Sequence, residues 1–154
     1  MTASARQDDD VIDMLIDQHA HIRELFTDVK GARGASRQRA FEELRALLAV
    51  HETAEEMILR PVAAATAGEL EADTRNLEEQ DANRTLVLLE RMDVDSAEFD
   101  RTFLDFELAV LRHAEREEHE EFPAVRAGRS IEERREMGAR LRAAVGCSMP
   151  RWAA

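Results

Sequence analysis

The chain has 154 residues, of which 44% are hydrophobic and 35% are charged, and its formal net charge is -12. This length suffices for one domain whose apolar core needs no disulfide. The acidic charge argues against binding to nucleic acid or to an anionic membrane, because both require basic patches. A single cysteine, Cys147, excludes an internal disulfide. The first ten residues lack the apolar segment of a signal peptide, so we expect a cytoplasmic protein.

Apolar residues recur every three or four positions along most of the chain, which is the period of an amphipathic helix. The low content of glycine, proline and aromatic residues also favours helix, so the predicted fold class is all-α. The first predicted helix covers residues 9–30, and His19 lies within its apolar stripe. The second follows a turn at 31–36, with Ser36 as its N-cap. Pro61 is expected to end or kink the second helix near Arg60.

Three further helices are predicted after Pro61. The third covers about residues 69–92 and has apolar residues on two faces, which could form a dimer contact, so we expect a monomer or a homodimer. The fourth is expected to open with Asp95 and Glu98 as a capping pair, and the shorter fifth with Ser130 and Glu133. The predicted organisation is a disordered N-terminus at 1–8, a helical bundle at 9–126, an accessory helix at 130–146 and a tail at 147–154.

One motif occurs twice, on the second and fourth predicted helices. It has a histidine, two glutamates four and five residues later, and a proline ten residues later: His51, Glu55, Glu56 and Pro61, then His113, Glu117, Glu118 and Pro123. Residues four apart share a helix face, so each copy presents an imidazole beside a carboxylate. At ~1.5 Å per residue, the histidine of the first helix lies at a similar height to that of the second on an antiparallel neighbour. Three helices could therefore converge on one cation.

The position within the apolar stripe separates the two glutamates of each pair. Glu55 and Glu117 continue the spacing of three and four residues, whereas Glu56 and Glu118 fall one residue outside it, so the first of each pair should point inward. An ionised carboxylate in an apolar interior is unstable unless it is neutralised, paired or bound to a metal. Two such carboxylates beside inward histidines predict a metal site.

These residues, with the prolines behind them, resemble the hemerythrin-like HHE cation-binding family over about residues 11–126. The resemblance implies an up-and-down antiparallel four-helix bundle that holds a non-haem di-iron centre. It also implies three imidazole ligands and two bridging carboxylates: His19, His51, His113, Glu55 and Glu117. Glu52 matches an additional carboxylate ligand of some iron-sensing relatives. Glu118 matches the last ligand of other relatives, so it remains an alternative to Glu117 as the carboxylate ligand of this helix.

The third predicted helix departs from the family pattern. Relatives usually present one or two histidines there, whereas this chain has Gln80 and Arg84 at the corresponding places. Gln80 could bind metal through its amide oxygen, while Arg84 stays cationic and could instead neutralise the carboxylates. We therefore expect unequal sites, a complete one served by His19 and His51 and a weakened or absent one served by His113.

Imidazole and carboxylate ligands without thiolate suit iron, manganese or zinc. The resemblance favours iron, as a di-iron centre or as one iron if the second site is lost. It implies a protein that binds or senses iron or a small diatomic ligand, dioxygen or nitric oxide. One alternative is an iron enzyme that consumes peroxide or nitric oxide at an open coordination position. Another is a metal-free helical interaction protein, in which Gln80 and Arg84 satisfy the buried carboxylates.

Overall fold

The computed structural model describes residues 10–146, apart from the side chains of residues 145 and 146. Every regular element in this range is a helix, which confirms the all-α prediction. The α-helices are α1 (Val11–Gly31), α2 (Gly34–Ala54), α3 (Arg60–Thr66), α4 (Glu69–Glu90), α5 (Ala97–Arg116), α6 (Phe122–Gly128) and α7 (Ile131–Gly146). The predictions for residues 1–8 and for the tail at 147–154, including Cys147, lie outside the described residues.

Four rods form the bundle. Two of the rods are single helices, α1 and α4. The other two are composite: the π-helical turn Glu55–Leu59 joins α2 to α3 in the rod 34–66, and the turn Glu117–Glu121 joins α5 to α6 in the rod 97–128. The first two rods pack along each other, as do α4 and α5, and α3 packs against α4 and α6. The shorter α7 packs against α1, α2 and the first π-helical turn. Within residues 10–146, no helix has the length and apolar character needed to cross a membrane.

The loop between α4 and α5 caps helices differently from the prediction. The second rod begins at Gly34, whose φ of 59° suits glycine, and the Gly34 amide donates to Asp95 Oδ1 at 3.0 Å. Ser36 is therefore not the N-cap of α2. The N-cap of α5 is Ser96, whose hydroxyl accepts from the amide of Phe99 at 3.1 Å. The predicted capping pair of Asp95 and Glu98 was wrong, because Asp95 serves the neighbouring helix instead.

The fifth predicted helix opens as expected. The Glu133 amide donates to Ser130 Oγ at 3.1 Å, and the Ser130 amide donates to Glu133 Oε1 at 3.2 Å, which confirms the capping box. Its buried face is narrow, because Met137 and Leu141 are buried whereas Ile131 is 36% exposed.

Both prolines of the doubled motif lie inside continuous rods. Pro61 was expected to end or kink its helix, but the rod runs on to Thr66. A proline lacks an amide hydrogen and clashes with the carbonyl four residues before it. A π-helical turn ends two residues before each proline. The amides of Arg60 and Phe122, which come directly before the prolines, bond to the carbonyls five residues back, those of Glu55 and Glu117. The wider turn accommodates the proline without ending the helix.

The apolar core consists of two clusters at different heights of the bundle. One contains five phenylalanines from α1, α2 and α5: Phe26, Phe41, Phe99, Phe103 and Phe106. The other joins the start of α1 to the end of the second rod, to α6 and to α7: Val11, Ile12, Leu15, Ile58, Leu59, Phe122, Val125, Met137 and Leu141. Between them lies a layer of buried polar side chains, which is where the predicted site residues are found.

The phenylalanine cluster should dominate the stability of its end of the bundle. Phe103 is 1% exposed and contacts four other aromatic rings, so Phe103→Ala is expected to lower the free energy of unfolding by about 3–5 kcal/mol. The next residue, Leu104, is 54% exposed, and Leu104→Ala should change the free energy of unfolding by less than about 0.5 kcal/mol. Urea denaturation of both variants in the presence of a chelator measures the difference. Equal losses would contradict the assignment of the core.

Candidate metal centre

The polar layer between the two clusters contains the side chains that the doubled motif singled out. His19 comes from the middle of α1, His51 from the last turn of α2, and His113 from the last turn of α5. Glu55 and Glu117 each begin a π-helical turn, four residues after a histidine. All five side chains are buried. The structure therefore brings these residues together, while their role as metal ligands stays a prediction.

A first group of four residues could hold one ion. His19, His51, Glu55 and Glu117 offer ligand atoms that all lie within 4.8 Å of one another. His19 Nε2 is 3.1 Å from His51 Nε2 and 3.3 Å from Glu117 Oε1, and His51 Nε2 is 2.6 Å from Glu55 Oε1. Donor atoms bound to one ion at about 2.1 Å lie roughly 3.0–3.4 Å apart. The group therefore fits a single metal ion with small adjustments.

The hydrogen-bond partners of the two imidazoles assign their tautomers. His19 Nδ1 lies 3.2 Å from Glu118 Oε1, and His51 Nδ1 lies 2.7 Å from Gln18 Oε1. Both partners are acceptors, so each neutral ring donates from Nδ1 and keeps a lone pair on Nε2. The two Nε2 lone pairs then face each other, which is unfavourable unless a cation lies between them. A partner on the second ring nitrogen is also typical of metal-bound histidine.

A second group of four contains a residue that the sequence analysis missed. It consists of Glu55, Glu79, His113 and Glu117, again with ligand atoms within 4.8 Å of one another. His113 Nε2 is 3.2 Å from both Glu79 Oε1 and Glu117 Oε1. The prediction that Gln80 supplies this ligand is corrected, because Gln80 lies on the exposed face of α4 and Glu79, one residue earlier, points inward.

The buried face of α4 explains why Glu79 was missed. The buried residues of this helix follow the usual helical spacing but include two charged side chains: Ala72, Arg75, Glu79, Ala82 and Leu89. Its large apolar residues Leu77 and Leu88 are instead 60% and 53% exposed. The leucines of α4 therefore indicate the face that is turned to solvent, and not the face that carries Glu79. The spacing of small and charged residues was the available signal.

Glu55 and Glu117 belong to both groups, so they are placed to bridge two ions. Several buried atoms here form no hydrogen bond of regular geometry among the described residues, although some lie at ion-pair distance from one another: both carboxylate oxygens of Glu55, Oε1 of Glu117, Oε2 of Glu79 and both ring nitrogens of His113. Unpaired buried polar atoms are rare in folded proteins and costly. Two metal ions that share Glu55 and Glu117 would satisfy the carboxylate oxygens and Nε2 of His113, so the residues present fit a dinuclear centre.

Glu52 and Glu118 lie beside the centre but in neither group. Glu52 is half-buried and accepts a hydrogen bond from Asn83 Nδ2 at 3.0 Å. Glu118 contacts His19 Nδ1 and also pairs with Arg23 Nη2 at 3.1 Å. Its hydrogen bond to His19, together with Arg23, lowers the pKa of Glu118 to about 2, so the carboxylate is ionised. Glu118 is thus placed to orient His19 rather than to bind the ion itself.

Arg60 is a buried cation that the sequence analysis treated only as a helix end. Its side chain is 5% exposed, and its guanidinium forms ion pairs with four buried carboxylates: Glu55, Glu79, Glu117 and Glu121. Arg84, which we expected to neutralise the carboxylates, is 75% exposed and pairs with Asp81 on the surface of α4. The neutralising arginine therefore comes from the second rod and not from α4.

The protonation states of the imidazoles differ between the two groups. Burial lowers the pKa of His51, although Glu55 opposes it, so this ring is neutral and available as a ligand. Burial also acts to lower the pKa of His113, but the nearby carboxylates of Glu78 and Glu79 outweigh it and raise the pKa to about 9. In the metal-free protein His113 is therefore protonated at neutral pH, and an ion that binds there must displace a proton.

A small cavity of about 30 Å³ adjoins both groups. Since one water needs about 10–15 Å³, this space admits about two water-sized atoms. Part of its wall is apolar and comes from four helices: Ile22, Leu48, Ala82, Val110 and Ala114. The carboxylates of Glu52 and Glu78 lie in the wall together with the candidate ligands.

The family of the chain follows from comparison with known proteins. The sequence profile of the hemerythrin HHE cation-binding domain matches residues 10–125, so this chain belongs to that family, as its doubled motif suggested. A crystal structure of a hemerythrin HHE cation-binding domain-containing protein from Mycobacterium kansasii is similar, with a TM-score of 0.79 and 21% identity. The match covers 87% of this chain and 83% of that one, and at this identity it supports the fold alone. No curated protein matches the chain.

The choice between Glu79 and Gln80 can be tested directly. Glu79→Gln keeps the side-chain shape but removes an ionised ligand, so the second equivalent of metal should bind at least ~10-fold more weakly. Gln80→Ala, one residue along the helix, should leave metal binding unchanged because the side chain is exposed. Titration with Zn²⁺ followed by calorimetry measures both. Weakened binding in the Gln80 variant alone would contradict the second group.

The role assigned to Glu118 predicts an indirect effect on metal affinity, through the orientation of the His19 ring. Glu118→Gln weakens the acceptor that holds the His19 ring, so metal affinity should fall by roughly 10–100-fold. Glu120→Gln removes the same charge at an exposed position of the same π-helical turn and serves as the control. Competition with a fluorescent chelator gives the affinities. Equal losses in the two variants would show that only net charge matters.

Proposed function

We propose that this protein holds two iron ions in the two groups that share Glu55 and Glu117, and that it binds or senses a small diatomic ligand, dioxygen or nitric oxide. The observation that supports this most directly is the set of buried carboxylate and imidazole atoms that form no regular hydrogen bond and lie close enough together to share two ions. Membership of a cation-binding family agrees with it.

The ligand types support iron as the metal. The first group offers two imidazoles and two carboxylates, and the second offers one imidazole and three carboxylates. Mixed nitrogen and oxygen ligands of this kind suit iron, manganese or zinc, and they argue against copper(I), which prefers sulfur. Iron is the metal that the family resemblance implies. When bound, ferrous iron would supply a Lewis acid at which a diatomic molecule can coordinate, and it could also transfer an electron to that molecule.

The chain's own residues would control access to that ion. The cavity beside the two groups is small enough to restrict the ligand to about two heavy atoms, and its partly apolar wall suits an uncharged gas molecule. The two apolar clusters on either side keep bulk water away from the layer. Gln18 and Glu118 hold the rings of His51 and His19 in the orientation that directs Nε2 inward.

A second candidate function is the consumption of peroxide. It is favoured by the carboxylates of Glu52 and Glu78 in the cavity wall, because a binding pocket for an apolar gas has no need of them. Carboxylates at that place can accept hydrogen bonds from the two hydroxyl groups of hydrogen peroxide. The third alternative, a metal-free interaction protein, relied on Gln80 and Arg84, and both lie on the exposed surface of α4.

The proposal is tested on protein produced under iron-replete conditions. We expect about two irons per chain, and an absorption spectrum of the reduced protein that changes on addition of nitric oxide without oxygen. Ala82→Leu fills the cavity beside the second group, so nitric oxide binding should weaken at least ~10-fold while the iron content stays the same. Ala49→Leu, the same change on an exposed face of α2, is the matched control.

Three results would decide against parts of this proposal. Absence of stoichiometric iron, manganese and zinc would favour the metal-free alternative. Metal without any spectral response to nitric oxide or dioxygen would leave a metal-binding protein and remove the diatomic ligand. Sustained oxygen evolution from hydrogen peroxide, lost in Glu52→Gln, would select the enzyme instead.

A further inference from the structure

The centre carries more buried negative charge than its histidines can balance. Glu55, Glu117 and Glu121 are 0% exposed and Glu79 is 4% exposed, so four carboxylates share one dry layer. The rings of His19 and His51 meet at their Nε2 atoms, which leaves room for a proton on one of them at most. Buried carboxylates that lack a cation destabilise a fold strongly. A fixed positive charge within the layer would offset this cost when metal is absent.

Arg60 contacts all four carboxylates at once. Its Nη2 atom is 2.5 Å from Glu79 Oε1, and its Nη1 atom donates to Glu121 Oε1. Each of these two nitrogen atoms is also 3.3 Å from Glu117 Oε2. Nη1 also lies 3.7 Å from Glu55 Oε2. Among the residues that the structure describes, it is the one arginine or lysine that forms ion pairs with these four groups.

The two shared carboxylates divide their oxygens between the histidines and Arg60. Oε1 of Glu55 faces His51 Nε2, and Oε1 of Glu117 faces the Nε2 atoms of His19 and His113. In both carboxylates the other oxygen, Oε2, faces Arg60. The arginine thus fixes the planes of both carboxylates from the side opposite to the first group.

The position of Arg60 is itself well fixed. Its Nε atom donates to Asn76 Oδ1 on α4 at 3.1 Å, and its backbone amide closes the π-helical turn onto the Glu55 carbonyl. Arginine stays protonated at every accessible pH, and its planar guanidinium can serve several carboxylates at once. Arg60 therefore supplies a permanent charge in a fixed place.

We propose that Arg60 is an internal counter-cation that holds the carboxylates of the centre in position in the metal-free protein, and that bound metal ions take over part of this role. The second half of the statement rests on the metal binding proposed above, whereas the first half does not. A consequence is that metal can enter and leave a bundle that stays folded. Arg60 is in this sense a positioning residue and not a ligand.

The test compares the stability of variants with and without metal. Arg60→Met removes the charge and keeps a long side chain, Arg60→Lys keeps the charge, and Arg84→Met is the same change at an exposed arginine. Urea unfolding is measured at pH 8 with EDTA and again with saturating Zn²⁺. Without metal, we expect the folding equilibrium constant of Arg60→Met to fall roughly 100- to 1,000-fold, with a smaller loss for Arg60→Lys and none for Arg84→Met. Zn²⁺ should stabilise Arg60→Met more than the unmodified chain.

A double variant keeps the test decisive if Arg60→Met fails to fold. Glu121 belongs to neither metal group, so adding Glu121→Gln to Arg60→Met removes one buried ionisable carboxyl group without removing a candidate ligand. The double variant should be more stable than Arg60→Met alone, because the two side chains form an ion pair. A packing role for Arg60 predicts no such recovery.

Several outcomes would overturn the proposal. Unchanged stability of metal-free Arg60→Met would remove the counter-cation role, and so would equal losses in Arg60→Met and Arg60→Lys. An equal stabilisation by Zn²⁺ of the unmodified chain and of Arg60→Met would overturn the exchange between arginine and metal. If neither Zn²⁺ nor Fe²⁺ binds the unmodified chain, the proposed function fails, while the comparison in EDTA still decides the role of Arg60.

Discussion

The burial of four carboxylates at the middle of the bundle is the constraint on which the rest of the structure depends. Each ionised carboxylate loses its hydration when the two apolar clusters close around it, and a loss of several kcal/mol per ion must be offset within the same layer. Imidazoles from three rods, a buried arginine and, as we propose, two metal ions all serve this purpose. The surrounding hydrophobic packing alone would not require any of these residues at these positions.

The doubled motif places the two halves of the centre by the same local geometry. In each copy a histidine lies in the last turn of an α-helix, the glutamate four residues later begins a π-helical turn, and a proline follows that turn. The copies differ nine residues after the histidine, where one has Arg60 and the other has Phe122. Arg60 turns toward the carboxylates, whereas the ring of Phe122 stacks on His19 with a centroid distance of 5.5 Å. One half therefore contributes charge and the other contributes an apolar wall.

The sequence predicted the all-α class, and with it the inward direction of the histidines and of the first glutamate in each pair, because these residues repeat at helical spacing among apolar neighbours. It did not reveal Glu79, since the buried face of α4 carries charged and small residues while its leucines face outward. Arg60 was hidden for a different reason. A proline normally ends a helix, and only the π-helical turn lets the chain continue and direct the preceding arginine into the core.

A charge pair lies on the third rod next to the place where the family resemblance implies a histidine. Glu79 supplies the anion, and the cation of Arg60 lies 2.5 Å from it. Like a neutral histidine, the pair adds no net charge to the layer. It differs in that it offers a metal ion an oxygen atom in place of a nitrogen atom. Oε1 of Glu79 faces both Arg60 and His113, whereas Oε2 of Glu79 has no hydrogen-bond partner among the described residues. In the proposed dinuclear centre, an ion in the second group would compete with the guanidinium for Glu79, which would make this position the weaker one although a ligand is present there.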